Sequence, residues 1–191
     1  MVLAVLGLNH KTVSVDIREK FAIGEESARD GLHHLGEDDE IKEAVVLSTC
    51  NRTEIYAVLK DEESEKALYK FFLTLSGNSE IEKEYLFYYK GRECIRHLFE
   101  VASGIDSMVV GESQILNQLK TAYTLALSEK ATRTILNTLF HRAIRTGKRV
   151  RTETGISTSA VSVSYAAVKM AEKVLGTLEG KLSLIHISEP T

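Results

Sequence analysis

Residues 44–59 read Ala44-Val45-Val46-Leu47-Ser48-Thr49-Cys50-Asn51-Arg52-Thr53-Glu54-Ile55-Tyr56-Ala57-Val58-Leu59, and the fold hinges on this stretch. An apolar run leads into a polar turn and a second one leads out. Two strands, 44–47 and 54–59, joined as a hairpin account for that pattern. Cys50 stands at the mouth of the turn, flanked by hydroxyls, an amide and a guanidinium. A cysteine kept for packing usually sits inside an apolar run. This setting lowers a thiol pKa and leaves room for a substrate. Two readings of Cys50 are open: a nucleophilic thiol with an anion held by Arg52, or a half-buried cysteine closing a hairpin.

Outward from the hairpin, residues 2–8 read as a short buried strand and residues 9–12 as a turn. Residues 25–35 are helical, with Ala28, Leu32 and Leu35 on one face; Gly36 stops the helix and 37–40 form a solvated loop. A second helix covers 64–75, with Ser64 placed to cap it and Leu68, Phe71, Phe72 and Leu75 as its stripe. Residues 85–89 read as a further strand. After Gly91 helical patterns dominate to about residue 178, with breaks at 104–111, 128–132 and 152–158. The expected class is α+β: a small mixed sheet with flanking helices, leading into long helices.

With 191 residues, 43% hydrophobic and 27% charged, the chain has the composition of a soluble globular protein of one domain plus an extension. A net charge of −3 argues against a protein that coats nucleic acid throughout. The distribution matters more. Residues 25–43 are acid-rich, whereas Lys130, Arg133, Arg142, Arg145, Lys148, Arg149 and Arg151 follow one another with no acid between them, which suggests a local anionic partner. The two cysteines, Cys50 and Cys94, read as reduced thiols because no secretory signal precedes them. No Cys/His cluster has zinc-like spacing, and no apolar stretch approaches the roughly 20 residues of a membrane span.

Three further segments bear on chemistry. Cys94 and His97 are three apart and share a helix face. His97 is either a general acid or a partly buried histidine bonded to a carbonyl. In 102–118, Ser107, Glu112, Gln114 and Gln118 offer groups suited to the ammonium and carboxylates of an amino acid; the alternative is ordinary capping, with Ser113 as N-cap. His141, Arg142, Arg145, Lys148 and Arg149 cluster over two to three helical turns, either tracking a phosphate backbone or forming a solvated face. Met108 and Met170 read as core, His33 and His34 as surface. His10 lies in a turn, where it either lines a pocket or caps it.

Ordered along the chain, Gly7-Leu8-Asn9-His10-Lys11-Thr12, Ser48-Thr49-Cys50-Asn51-Arg52-Thr53-Glu54, His97-Leu98-Phe99-Glu100-Val101-Ala102-Ser103-Gly104, Gly111-Glu112-Ser113-Gln114-Ile115-Leu116 and Thr152-Glu153-Thr154-Gly155-Ile156-Ser157 resemble the glutamyl-tRNA reductase family, which opens tetrapyrrole synthesis from glutamate. The resemblance runs to about Leu182. It implies that Cys50 attacks the ester carbonyl of glutamyl-tRNA, giving a thioester that NADPH reduces to glutamate 1-semialdehyde. It implies substrate contacts at Thr49, Asn51, Arg52, Ser107, Glu112, Ser113, Gln114 and Gln118, a role in activity for His97, and a cytoplasmic protein. The family often has proline where Ser113 stands. A full-length homodimer and handover of product to glutamate-1-semialdehyde aminomutase are further implications; this piece alone is expected to be monomeric.

The organisation implied is a catalytic domain over 1–150, a connecting helix and the start of a missing NADPH-binding domain over 151–182, and a non-native adapter-like tail over 183–191. No G-x-G-x-x-G occurs in the chain, so the piece is expected to lack hydride transfer. Two rival readings are a non-catalytic tRNA-binding module and a redox-sensing thiol protein using Cys50 and Cys94.

Overall fold

A computed structural model describes residues 1–35, 39–112, 114–157 and 163–180. The expectations for Gly36, Ser113 and the 183–191 tail lie outside the described residues. In chain order the elements are β1 (Val2–Asn9), α1 (Val15–Lys20), α2 (Glu25–His34), β2 (Ile41–Thr49), β3 (Arg52–Leu59), α3 (Glu65–Leu75), β4 (Phe87–Lys90), α4 (Arg92–Ser103), α5 (Gln114–Ser128), α6 (Thr134–Glu153) and α7 (Val163–Leu175).

The four strands form one sheet in the order β2-β3-β1-β4. The α+β class is the one expected, but every neighbouring pair is antiparallel, so strand directions are not mixed. The reason lies in two split crossovers. The helical connection after β1 delivers β2 parallel to it but one strand away, and β3 takes the gap; likewise β1 lies between β3 and β4. This is the β-α-β-β-α-β arrangement of ferredoxin-like folds. Helices α2 and α3 pack on one face, and α4 and α6 on the other. With both faces covered, β3 is buried along its whole length, which is why its apolar residues run continuously rather than alternating.

Several local features carry the packing. Gly147 of α6 lies against Ala102 of α4: a Cβ there would come within 2.3 Å of the Ala102 carbonyl oxygen, so only glycine permits this helix crossing. Glu43, within the acid-rich stretch, is not solvated. It is buried at the N-terminus of α6, where its carboxylate accepts from the backbone N–H groups of Arg133, Ile135 and Leu136 at 2.8–3.1 Å. A carboxylate there satisfies orphan donors and complements the helix dipole. Ser64 precedes α3 but makes no cap bond. Its hydroxyl bonds instead with the carboxylates of Glu40 (2.6 Å) and Asp61 (3.0 Å). Met108 (55% exposed) and Met170 (69% exposed) are not core. Both sit where the next layer of this chain's described residues does not reach.

Candidate active site

The β2–β3 hairpin closes with Thr49 opposite Arg52, so Cys50 and Asn51 are the whole turn. Two-residue turns of this kind favour positive φ, yet Lys130 is the only non-glycine with positive φ among the described residues. The turn is held from outside instead. The Asn51 N–H donates to Thr49 Oγ1 at 3.2 Å. The Asn51 carbonyl accepts from the His10 N–H at 3.0 Å, and the Cys50 carbonyl from Arg18 Nε at 3.1 Å. Arg18, on the short α1, is buried and also donates from Nη1 to the Val13 carbonyl at 2.9 Å. Clamped this way, the turn leaves the Cys50 side chain exposed.

Behind the turn, β3 presents Arg52, Glu54 and Tyr56 on one face, as its period of two requires. All three are essentially inaccessible to solvent. Glu54 accepts from Arg52 Nη1 (2.7 Å), Tyr56 OH (2.7 Å) and His97 Nε2 (3.0 Å). Burial by itself pushes the Glu54 carboxyl up; the Arg52 charge and the His97 and Tyr56 bonds outweigh it and hold it down at about 2. An ionised carboxylate only accepts, so His97 carries its hydrogen on Nε2. Burial and the Glu54 charge push the Tyr56 phenol well above its usual value, so it stays un-ionised. Gly7 makes the arrangement possible. It pairs with Glu54, and a Cβ on it would lie 2.9 Å from Glu54 Cγ. The His97 ring sits among Tyr56, Phe87 and Tyr89, with centroids 5.0–6.4 Å away.

The second partner of Arg52 is Asp106, in the segment between α4 and α5. Arg52 Nη1 reaches Asp106 Oδ2 at 3.1 Å, and Nη2 donates to the Asp106 backbone carbonyl. Lys11 Nζ takes the other carboxylate oxygen. Burial disfavours the Asp106 charge, but Lys11 and Arg52 prevail and lower its pKa. Burial, with the cations Arg52, Lys11 and Arg18 nearby, lowers that of His10. His10 therefore lines the site as a neutral ring, and its Nδ1 is buried without a hydrogen-bond partner.

The other expected site residues are dispersed around this centre. Ser107 is buried and its hydroxyl has no partner. Glu112 is half-buried, its carbonyl accepting from Arg151 Nη2 at 2.6 Å. At the start of α5, Gln114 is exposed and Gln118 half-buried. Arg142, Arg145, Lys148 and Arg149 are exposed on α6, with Arg149 paired to Glu153 at 3.0 Å. Cys94 is 0% exposed and burial pushes its thiol up to about 12, so it is no partner for a redox couple. Lys11, Arg18, Glu54 and Asp106 received no role from the sequence. The signal available for Glu54 was its spacing of two from Arg52 in a strand otherwise apolar.

A ferredoxin-like sheet extended by a helical layer, with a solvent-facing thiol at a hairpin tip backed by a buried ion network, defines the class of domain. The Glutamyl-tRNAGlu reductase, N-terminal domain family matches residues 6–154. The chain is 48% identical over 187 residues to the glutamyl-tRNA reductase of Desulfatibacillum aliphaticivorans, covering 97% of this chain and 43% of that protein. It is 45% identical over 186 residues to that of Desulforudis audaxviator, covering 97% and 42%. The solved structure of glutamyl-tRNA reductase from Methanopyrus kandleri superposes with a TM-score of 0.70 at 37% identity, over 90% of this chain and 39% of that one. The chain belongs to the glutamyl-tRNA reductase family, matching its N-terminal domain, and spans under half the length of these relatives.

Proposed function

We propose that this chain is the acyl-accepting part of an NADPH-dependent glutamyl-tRNA reductase serving tetrapyrrole biosynthesis. The Cys50 sulfur, as thiolate, attacks the ester carbonyl carbon of glutamyl-tRNA. A C–S bond forms, the bond to the tRNA 3′-terminal ribose oxygen breaks, and that oxygen leaves with a proton. Thiolates are strong nucleophiles, and a thioester is a better hydride acceptor than an oxygen ester. Thr49 and Asn51 shape the turn. Arg52 reads the free carboxylate, and Ser107, Glu112, Ser113, Gln114 and Gln118 complete the glutamyl pocket. His97 is oriented by Glu54 to serve proton transfer. The exposed Arg142, Arg145 and Lys148 carry the tRNA backbone.

Residues 1–150 act as the catalytic domain, and α7 begins a connecting helix. The residues present do not fit a nicotinamide dinucleotide. The chain has no G-x-G-x-x-G, and the described sheet has no parallel strand-to-helix turn able to admit a pyrophosphate. The hydride step therefore belongs outside these residues, and water resolves the thioester slowly here, making the chain a weak esterase.

The observation that carries this reading is the solvent-facing Cys50 on a turn whose two carbonyls are both tied down from elsewhere in the fold. Intact-mass analysis after brief incubation with glutamyl-tRNA tests it. A glutamyl adduct on the parent and none on Cys50→Ser is expected. A folded, tRNA-binding parent without an adduct refutes it and leaves a non-catalytic tRNA-binding module.

A further inference from the structure

Asp106 meets the donors of Arg52 in an unusual way. Its carboxylate oxygen Oδ2 faces Nη1 and its own backbone carbonyl faces Nη2, so two oxygens from one residue copy the fork of a bidentate carboxylate. Lys11 holds the remaining oxygen. Three cations, Lys11, Arg52 and Arg18, stand near two carboxylates, Glu54 and Asp106, and Arg18 gives its donors to the carbonyls of Cys50 and Val13. Glu54 is locked in place by its three donors, with no freedom to leave. A third carboxylate entering beside Arg52 would meet the two already held there, and like charges at close range in a buried site disfavour one another. The donors that Arg52 turns toward Asp106 become free for an incoming anion when Asp106 leaves.

We infer that Asp106 holds the place of the substrate's free carboxylate on Arg52 and that the substrate binds by exchanging with it. The inference rests on the glutamyl-ester reading above. The segment carrying Asp106 is built for exchange. It begins at Gly104 and ends at Gly111, both at positive φ (73° and 85°), with the Gly111 N–H donating to the Gly104 carbonyl at 2.9 Å. A Cβ on Gly104 would lie 3.3 Å from Gly111 Cα, so the base of the segment is a glycine-on-glycine closure. Three of its apolar side chains, Ile105, Met108 and Val110, are each at least half exposed, so little burial anchors it. The ion contacts of Asp106 are its main tether. Ser107, next in sequence, has a buried hydroxyl with no partner, a hydrogen-bonding group left unused while Asp106 occupies the site.

Exchange makes Asp106 an affinity-setting residue: the apparent affinity is the intrinsic one reduced by the fraction of molecules in which Arg52 is vacated. Asp106→Asn removes the competing charge. The same substitution would weaken substrate binding if Asp106 served only to position Arg52, so the two roles predict opposite signs.

The test compares Asp106→Asn with its parent, both in the Cys50→Ser background, by calorimetric titration with glutamate α-methyl ester, which retains the free side-chain carboxylate. Alongside, the half-saturating glutamyl-tRNA concentration for Cys50 acylation is measured with Cys50 intact. Binding tighter by about ten-fold or more, and a matching drop in half-saturation, are expected, since a hydrogen-bonded charge contact is being released. Unchanged or weaker binding with Cys50 still acylated overturns the inference and leaves the proposed reaction standing. Absence of acylation in the parent overturns that reaction and the inference with it. Should Asp106→Asn fail to fold, carboxyl-carbon NMR of the parent replaces it. The Asp106 resonance shifts on adding the ester if exchange occurs, and an unmoved resonance at saturation overturns the proposal.

Discussion

Replacing Glu54 by glutamine keeps the shape of the side chain and removes the charge at the centre of the ion network. Glu54 is fully buried and accepts three hydrogen bonds, one from Arg52, one from His97 and one from Tyr56. Its carboxyl falls from 4.5 to about 2 on folding. At about 1.4 kcal/mol per unit, that depression corresponds to about 3 kcal/mol of stability at neutral pH. The sign follows from the direction. With the folded pKa below the unfolded one, the contribution is present in full above about 4.5 and is lost as pH falls from there toward 2. Asp106 still partners Arg52 in the variant, so the loss stays near 3 kcal/mol, at the low end for a broken buried pair. Urea unfolding of Glu54→Gln and parent at pH 7 therefore differs by about 3 kcal/mol, or about 6–12 °C in Tm for a chain this size. At pH 3.5 the gap is narrower by about 1.4 kcal/mol. A gap below about 1 kcal/mol at pH 7, or one that stays constant down to pH 3.5, refutes the reasoning.

Iodoacetamide labels Cys50 in the native protein and spares Cys94, which is buried with its thiol at about 12, whereas both label in urea; equal native labelling would contradict the burial. Glu43→Ala strips a carboxylate from three backbone donors of α6 and costs about 2 kcal/mol by urea unfolding, while an exposed acid such as Glu26 changed to Ala shifts stability by under about 0.5 kcal/mol. Replacing Arg142, Arg145 and Lys148 together by glutamine lowers the slope of log affinity for tRNA against log salt by about 2–3, and an unchanged slope places the tRNA elsewhere.

The hairpin, the turn that displays Cys50 and the ends of α4, α5 and α6 were all legible in the chain. They depend on local chemistry: an apolar run interrupted by polar residues, and breaks near Gly104, Ser128 and Glu153. The helix α1 was not seen, because six residues carry too little periodicity to read. Local sequence carries no sign that the charged side chains of Arg52, Glu54 and Glu43 are buried. Each is buried by partners far along the chain: Asp106 for Arg52, His97 for Glu54, and the start of α6 for Glu43. Met108, read as core, is exposed: it is an apolar residue on the segment that the ion contacts of Asp106 tether.

By itself the sequence determined the class of fold, the position of the thiol and the order of the helices, since these follow from patterns spanning a few residues. Only the tertiary structure decided what the charges do. It brings Lys11 to Asp106 and Arg18 to the carbonyl of Cys50, and it seats Glu54 over Gly7. Charges are neutralised, and polar groups satisfied, by neighbours in space, and separations of 95 residues for Lys11–Asp106 and 43 for Glu54–His97 leave no trace in local spacing.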